Sequence, residues 1–328
     1  MIGPLRLVPD LRPRVWGGSR LAALGGASVV TRGAGSSVAR GPTGEAWVVG
    51  EESVVAAGPF AGWVVADLAA AHGKALLGRD GMAQARGRFP LLAKLLDARE
   101  WLSIQVHPDD ATAERLEGPG HLGKTEGWYV LATDPGARLI VGVRPGIDPA
   151  RVRSAVLDGR LPDLLAAIDV RPGDVVLVRA GTLHSIGPGV FLYEIQQSSD
   201  LTYRVTDWGR PETVGRPLHL DKSLAALDPA AAAIPRSTAL DADDRITAIA
   251  CEKFVADLVA VRDEVALLDT AGRTFHAITV VSGAVAVAGD GWLEPLGEFE
   301  SIVVPAEVGE YEIRPAGGSA RAVVARVP

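Results

Sequence analysis

Four residues in this sequence have side chains that suit a divalent metal ion, and two of them lie in the run LSIQVHPDD (102–110). Gln105 and His107 are two apart in an alternating run, so on a β-strand their side chains leave the same face. Glu126 follows in GKTEGWYVL and His184 in AGTLHSI. Two imidazoles, a carboxylate and an amide oxygen suit zinc and several other divalent metals. Such a mixed set predicts a metal site with an open position, as in catalytic sites.

Charged residues near these four extend the chemistry that the site would support. Lys124 lies two residues before Glu126 and shares its face on an extended segment, while Glu194, Asp200 and Arg204 follow His184. With a metal, such groups polarise a carbonyl, move a proton and hold an anion. The simpler interpretation is that Asp200 and Arg204 form an ordinary surface ion pair, and that each histidine is a core or surface residue.

The elements that must position these residues are predicted to be mostly strands. Two apolar runs, Phe89 to Asp97 and Trp101 to His107, are separated by a short polar turn and are predicted to form a β-hairpin. Further strands are expected at 44–49, 126–133, 137–143, 174–179 and 190–197. Helices are expected at 63–77, 109–116 and 220–233, with two short helical segments within about 148–168.

The pattern changes after about residue 218. From Phe254 onward, short runs rich in valine, isoleucine and alanine alternate with glycine turns, which predicts a sandwich or jelly roll. We therefore divide the chain into a metal-binding catalytic domain, 1–218, and a C-terminal β domain, 219–328. His276 has no nearby set of metal-ligating companions in the sequence, so the second domain is expected to be structural or to form an interface.

Composition excludes several classes of protein. The 328 residues are 48% hydrophobic and carry a net charge of −7, with no basic block, so a nucleic-acid partner is not expected. A single cysteine, Cys251, excludes an intrachain disulfide and a cysteine-based zinc site. The N-terminal run carries charges and prolines where a signal peptide needs an apolar stretch. We expect a cytoplasmic protein with no membrane association.

Several long motifs occur in the order found in one enzyme family. The sequence resembles the short bacterial form of the type I mannose-6-phosphate isomerases over about residues 10 to 225, and more loosely beyond. The motifs are RFPLLAKLLDAREWLSIQVHPDD (88–110), GKTEGWYVL (123–131) and AGTLHSIGPGVFLYEIQQSSDLTYRVTDWGR (180–210), with shorter matches at VWGG (15–18) and GEAWVV (44–49). This resemblance implies a mainly β protein made of tandem cupin jelly-roll barrels with a small helical segment, and one Zn²⁺ per chain in the first barrel.

The resemblance also assigns roles to individual residues. The implied metal ligands are Gln105, His107, Glu126 and His184, although their chemistry leaves other divalent metals possible. The family's essential arginine falls on Arg204, with Asp200 four residues before it. Its acid–base lysine falls on Lys124, and an acidic candidate falls on Glu194. One position departs from the longer family members, because Gly123 stands where they carry a histidine. A proton-transfer role for that histidine therefore does not carry over, and nothing in the sequence indicates that the nearby His121 replaces it.

The resemblance implies an aldose–ketose isomerase that interconverts mannose 6-phosphate and fructose 6-phosphate through a cis-enediolate. Either Lys124 or Glu194 would carry the proton between C2 and C1. The candidates for binding the phosphate are Lys124, Arg204, Arg210 and Lys222. Two alternatives remain: a metal cupin that isomerises another sugar, and a cupin that binds a metal or sugar without catalysis. We expect a monomer or a weak homodimer.

Overall fold

The structure, a computed structural model, describes residues 2–26, 42–211 and 216–328. In chain order the strands are β1 Leu5–Val8, β2 Asp10–Gly18, β3 Thr43–Val49, β4 Val54–Val55, β5 Leu91–Asp97, β6 Ile104–Val106, β7 Glu126–Thr133, β8 Arg138–Val143, β9 Leu165–Asp169, β10 Asp174–Val178, β11 His184–Ile186, β12 Val190–Gln197, β13 Tyr203–Thr206, β14 Arg236–Ser237, β15 Arg245–Ala250, β16 Val255–Val261, β17 Ala266–Asp269, β18 His276–Ser282, β19 Val285–Gly289, β20 Trp292–Leu296, β21 Ser301–Val304, β22 Glu310–Pro315 and β23 Ala320–Arg326. The α-helices are α1 Val65–Ala85, α2 Asp110–Glu117, α3 Pro149–Leu157 and α4 Leu220–Ala226, and short 3₁₀ helices lie at Arg20–Gly26, Leu161–Leu164 and Ala306–Val308.

The ends of α2 and α3 follow from their capping residues. Asp109 accepts a hydrogen bond from the Thr112 backbone N–H at 2.7 Å and so begins α2, which decides between Asp109 and Asp110 as the capping residue. Asp148 caps α3 in the same way, and Pro149 occupies its first turn, where a missing N–H costs nothing. The predicted helix at 63–77 is present as α1 and extends to Ala85.

Contacts divide the chain into two compact units, which differ from the predicted boundary at 218. One unit comprises 14–18 and 96–237 and contains every predicted site residue. The other comprises 1–13, 19–95 and 238–328, so much of the N-terminal segment groups with the C-terminal strands. The reason is visible at β1, which pairs with β21 and lies within the sheet of the C-terminal region.

The unit of 14–18 and 96–237 contains the strands of the first jelly roll. One sheet has the strand order β13–β6–β11–β8–β9, and in another β14, β10, β7 and β12 are hydrogen-bonded in that order. A shared apolar core draws Trp128 and Val176 from the latter sheet and Leu139 and Ile186 from the former. The two sheets therefore pack face to face, and side chains on their inner faces lie inside the barrel.

Several sequence-based assignments within this unit are wrong in detail. The runs before and after Ala98 do not form a hairpin, because β6 pairs with β11 and β13. In a jelly roll a chain that leaves one strand often crosses to the opposite sheet, and short-range patterns do not record that crossing. The two short helical segments expected within about 148–168 are present as α3 and the 3₁₀ helix Leu161–Leu164, after which β9 begins. The helix predicted at 220–233, in contrast, ends at Ala226.

A second jelly roll lies in the other unit. Its sheets have the orders β15–β16–β23–β18–β21–β1–β4 and β17–β22–β19–β20. Their inner faces share a core that includes Val259, Ile278, Val287 and Ile313. The prediction of a mainly β protein built from tandem cupin jelly rolls is thus confirmed. Within the described ranges, none of the helices is long and apolar enough to cross a membrane.

Candidate metal centre and its charged surroundings

Three predicted site residues form a row across adjacent strands. Gln105 on β6 lies opposite His184 on β11, and on its other side it lies opposite Arg204 on β13. Residues paired in this way have Cβ atoms about 5 Å apart, so their side chains are neighbours on one face. Gln105 Nε2 is accordingly 3.2 Å from His184 Nε2. The antiparallel register, and not the sequence spacing, brings these residues together.

His107 and Glu126 complete the cluster from the end of β6 and from the facing sheet. Glu126 Oε1 lies 3.1 Å from His107 Nε2, and Glu126 Oε2 lies 3.6 Å from His184 Nε2. The ligand atoms of these three residues all lie within 4.8 Å of one another, and all three residues are buried. Together with Gln105, the four predicted ligands therefore converge inside the first barrel.

Backbone carbonyls fix the orientation of both imidazoles. His107 Nδ1 lies 2.7 Å from the Leu201 carbonyl oxygen, and His184 Nδ1 lies 2.9 Å from that of Thr182. Because a carbonyl only accepts, each Nδ1 carries the proton and each Nε2 presents a lone pair to the cluster. Burial, with the nearby Lys124 charge, lowers the pKa of His107 to about 3, and burial also lowers the pKa of His184. Both rings are thus neutral, which is the form that binds metals.

The donor set fits a divalent cation. Both carboxylate oxygens of Glu126 are buried and lack a hydrogen bond of normal geometry, although nitrogen atoms lie close to each. Burial raises the pKa of Glu126, but the charge of Lys124 outweighs it and leaves this pKa well below its usual value. Gln105 Oε1 accepts a 3.3 Å hydrogen bond from Ser103, and a half-turn of the amide exchanges Oε1 and Nε2 within the same shape. An ionised carboxylate with unsaturated oxygens, two Nε2 lone pairs and an amide oxygen match the ligands that zinc and similar metals accept.

Lys124 is aimed at this cluster. Its Nζ lies 2.5 Å from Glu126 Oε1 and 3.3 Å from His107 Nε2, and the residue is buried. Burial lowers the pKa of Lys124, yet the carboxylates of Glu126, Glu194 and Asp200 outweigh it and leave this pKa above its ordinary value. The lysine therefore stands as a cationic proton donor beside the ligands.

The segment before Lys124 is held against the start of α2. The backbone N–H of Lys124 donates to the Pro108 carbonyl at 2.9 Å, and Asp110 Oδ1 accepts from the Gly123 N–H at 2.8 Å. A Cβ atom at position 123 would lie 2.4 Å from the Asp109 carbonyl carbon. Position 123 therefore requires glycine in this backbone.

The two acidic candidates lie in different environments. Glu194 is buried on β12, and its Oε2 accepts a 2.9 Å hydrogen bond from the indole N–H of Trp128. The Trp128 ring in turn packs edge-on against His184, with ring centroids 5.6 Å apart. Asp200 is exposed and acts on Lys124 and Arg204 through its charge. Glu194 thus belongs to the interior of the site, while Asp200 lies at its rim.

The predicted cations differ in how far their charge is already paired. Arg204 donates to the neutral oxygens of Ser103 and Pro217, both at 3.1 Å. Arg210 donates to Asp207 at 2.7 Å, and Lys222 lies 2.8 and 2.9 Å from the two oxygens of Glu117. Of these three cations, Arg204 is therefore the one whose side-chain hydrogen-bond partners among the described residues are neutral.

Three residues of this region were missed by the sequence analysis. Ser103, Asp207 and Arg216 join Arg204 and Arg210 in one cluster of polar contacts. Ser103 could have been predicted, because it lies two residues before Gln105 and shares its face in the same alternating run. Arg216 carries no signal in its spacing, since tertiary structure alone brings it beside Ser103.

Comparison with known proteins gives a consistent result. The family model described as "Phosphomannose isomerase type I, catalytic domain" matches residues 5–124. Mannose-6-phosphate isomerase of Streptococcus mutans is 39% identical over 233 residues, which are 69% of this chain and 68% of that protein. Mannose-6-phosphate isomerase ManA of Bacillus subtilis is 31% identical over 322 residues, which are 94% and 95% of the two chains. The crystal structure of the mannose 6-phosphate isomerase from Bacillus subtilis superimposes with a TM-score of 0.80 at 28% identity, covering 99% of each chain.

Proposed function

The chain belongs to the type I mannose-6-phosphate isomerase family, and we propose that its site in the first jelly roll interconverts mannose 6-phosphate and fructose 6-phosphate. The observation that carries this proposal is the convergence of His107, Glu126 and His184 with the Lys124 ammonium group in one buried cluster. Binding a sugar does not require a buried proton donor at a metal site, whereas isomerisation does.

The family is metal-dependent, and we propose zinc as the metal of this protein. The residues that would hold it are Gln105, His107, Glu126 and His184. A divalent metal at this place would supply a Lewis acid for the carbonyl and hydroxyl oxygens at C1 and C2 of the sugar. The Nδ1 bonds of His107 and His184 to backbone carbonyls hold both rings in orientation before any metal or substrate arrives.

Isomerisation needs one proton to leave C2 and one to arrive at C1, while O2 loses a proton and O1 gains one. We propose that Lys124 handles these protons, because its Nζ points at the ligand cluster. Its ammonium group gives a proton to O1, the resulting neutral amine takes the proton from C2 and returns it to C1, and the amine then takes the proton from O2. Glu194 is held by the Trp128 indole and contributes negative charge that favours the cationic form of Lys124. In this arrangement Glu194 orients and stabilises Lys124, and the exchange with substrate takes place at Nζ.

Arg204 supplies positive charge on the other side of Gln105. Its guanidinium group lies beside Gln105 in the cross-strand row and donates to neutral oxygens, so it is available to an anionic substrate group. Arg210 and Lys222 are held by Asp207 and Glu117, and we propose that they shape the rim of the site. The negative charge of Asp200 favours the cationic form of Arg204.

The experiment that tests this function is turnover measured in a coupled isomerase assay after removal and re-addition of metals. We expect activity on mannose 6-phosphate that is lost with a chelator and restored by zinc, with manganese and cobalt as comparisons. No turnover with any of the three metals would refute catalysis and leave a binding cupin. Faster turnover of an unphosphorylated sugar in a matched panel would show that the substrate is another sugar.

Two further properties belong to the same proposal. We expect the protein to act in the cytoplasm as a monomer or weak homodimer, because the proposed site is assembled within one unit of one chain. Sedimentation at two protein concentrations tests the assembly state. Activity that depends on protein concentration would contradict it.

A further inference from the structure

A buried amide oxygen on β12 faces the interior of the first barrel beside the metal ligands. Gln196 lies directly opposite Glu126 on β7, so their side chains leave the same face of the sheet as neighbours. Gln196 is fully buried, and its Nε2 donates to the backbone carbonyls of Gln197, at 3.2 Å, and of Ser199. Its Oε1 is buried without a hydrogen-bond partner among the described residues. An acceptor next to Glu126 is therefore left unused.

The contacts of this amide fix its orientation. A half-turn exchanges the oxygen and nitrogen of a glutamine amide within the same shape, and only the hydrogen-bond partners decide between the two forms. The two neighbours of Gln196 Nε2 are carbonyl oxygens, which only accept, so the nitrogen must lie on that side. Oε1 consequently points away from them. A buried acceptor held in this way without a donor is unfavourable and requires an explanation.

Lys124 competes with a metal ion for the ligands of the site. Its Nζ lies 2.5 Å from Glu126 Oε1 and 3.3 Å from His107 Nε2. Zinc binds at about 2 Å from such nitrogen and oxygen atoms, so a metal and this ammonium group would meet at the same two atoms. Two positive charges at that distance repel each other strongly in a buried site. Metal binding therefore requires Lys124 to exchange its contact with Glu126 for another acceptor.

The segment that carries Lys124 runs beside Gln196. The Gln197 backbone N–H donates to the Thr125 carbonyl at 3.3 Å, and the Thr125 N–H donates to Gln197 Oε1 at 3.0 Å. Lys124 is thus one residue away from a residue that is bound to the neighbour of Gln196. Glu194 lies two residues before Gln196 on the same face of β12, and its negative charge favours the cationic form of Lys124. The unused oxygen of Gln196 is therefore near the ammonium group that must move.

We propose that Gln196 is a positioning residue whose Oε1 accepts a hydrogen bond from the Lys124 ammonium group once Glu126 binds the metal. The exchange frees Glu126 Oε1 for the metal and keeps Nζ inside the barrel beside the metal ligands. This inference rests on the proposed isomerase function and deepens it, because it names the residue that separates the proton donor from the metal.

The test replaces Gln196 with methionine, which keeps the length of the side chain and removes the acceptor. Gln84→Met is the matched control, because Gln84 Nε2 also donates to two backbone carbonyls, those of Glu252 and Lys253, both at 3.0 Å, in the other unit. Competition with a chromogenic chelator measures the zinc affinity of each protein. We expect Gln196→Met to weaken zinc binding about 10- to 100-fold, because a hydrogen bond to a charged group is lost in the metal-bound state. Gln84→Met should bind zinc as the wild type does.

The same substitution in a Lys124→Met background separates positioning from packing. With no ammonium group to receive, Gln196→Met should change zinc affinity by less than about twofold relative to Lys124→Met alone. A residue that only packs the barrel would weaken zinc binding by the same factor in both backgrounds. That result would overturn the positioning role.

A crystal structure of the zinc-loaded wild type provides a direct readout. We expect Lys124 Nζ to lie within about 3.2 Å of Gln196 Oε1 and to have left Glu126 Oε1. An ammonium group that stays on Glu126, or that binds Glu194 and not Gln196, would overturn the inference.

The outcomes separate this inference from the function on which it rests. If the wild type binds zinc but does not turn over mannose 6-phosphate, the isomerase function fails and the zinc affinities still decide the role of Gln196. If the wild type turns over the sugar and Gln196→Met binds zinc as tightly as Gln84→Met, the inference is wrong and the function stands. A wild type that binds no divalent metal also overturns the inference, since nothing then displaces Lys124.

Discussion

The two jelly rolls of this chain share an architecture and differ in how their buried polar groups are satisfied. Each consists of sheets packed over an apolar core. Among the described residues of the first barrel, both buried oxygens of Glu126 lack a hydrogen bond of normal geometry, and Arg216 Nη1 is buried without a hydrogen-bond partner. In the second barrel His276 Nδ1 lies 2.7 Å from Tyr311 Oη across the interior, so the imidazole has a partner in the protein.

Other buried polar groups of the second barrel follow the same rule. Asp257 accepts hydrogen bonds from Thr247 at 2.7 Å, from Arg245 at 2.6 Å and from Arg326 at 2.7 Å. Buried polar groups with partners inside the chain stabilise a fold, while unsaturated ones call for an explanation, and a ligand is one such explanation. A jelly roll can therefore carry buried histidine without a metal site. The difference lies in the number of polar groups that converge on one point.

The largest expected effect separates His184 from His276. His184→Ala removes one imidazole from the ligand cluster, and we expect loss of bound metal and a fall in kcat of about 10³-fold or more, since a Lewis acid supplies several kcal/mol. His276→Ala should keep metal content and kcat while lowering thermal stability. Metal analysis together with the coupled assay checks both variants. Loss of metal in the His276 variant would break the distinction between the barrels.

The next largest effect concerns the proton donor of the first barrel and compares Lys124 with Glu194. Lys124→Met should retain metal and lower kcat about 10²- to 10⁴-fold, the usual contribution of general acid–base catalysis. Glu194→Gln keeps an acceptor for Trp128 and should lower kcat less, because it alters only the charge beside Lys124. Steady-state kinetics on metal-loaded protein measures both. A larger loss in the Glu194 variant would reassign the proton transfer to that carboxylate.

A smaller effect tests whether the polar pair of the second barrel is structural. Tyr311→Phe removes the hydroxyl that meets His276, and we expect the free energy of unfolding to fall by about 1 kcal/mol. Both kcat and KM should remain those of the wild type, because the pair lies outside the unit that holds the catalytic cluster. Denaturant unfolding and the coupled assay give the two readouts. A selective rise in KM would be inconsistent with a purely structural pair.

The smallest effect depends on pH. Burial raises the pKa of Asp257, but the hydrogen bonds from Thr247 and Arg245 and the Arg326 charge outweigh it, so this pKa lies below its ordinary value. Such a carboxylate stabilises the folded state above its unfolded pKa of about 3.9, and the stabilisation is lost as the pH falls through the folded value. We expect Asp257→Asn to cost less than about 1 kcal/mol at pH 7, since Arg245 is partly exposed. The difference from wild type should shrink below about pH 4, and unfolding curves at several pH values measure it. A difference that grows in acid would contradict this sign.

Much of the fold and the site follows from short-range patterns. Alternation places Gln105 and His107 on one face, and runs rich in branched residues predict most of the strands. Capping of α2 by Asp109 or Asp110 was also predictable, because an acidic residue before a helical run favours that role, and the structure selects Asp109. The motifs identified the family, which the comparisons support.

Pairing between distant strands was not predictable in the same way. The expected hairpin around Ala98 is wrong, since a polar turn between two apolar runs is equally consistent with a crossing between sheets. The predicted boundary at 218 differs from the contact-based units for a related reason, because β1 joins the sheet of the C-terminal strands. Local sequence does not encode which sheet a strand enters when both sheets need the same apolar face.

The sequence by itself determined the chemical identities at the site: an amide, two imidazoles, a carboxylate and a lysine on predicted strands. Tertiary structure alone decided their relations. It places His184 and Arg204 on either side of Gln105. It also orients both imidazoles through hydrogen bonds from Nδ1 to backbone carbonyls, and it brings Arg216 within hydrogen-bond distance of Ser103. Residue types and alternation are local properties of the chain, whereas register, burial and uncompensated charge arise only when distant strands pack together.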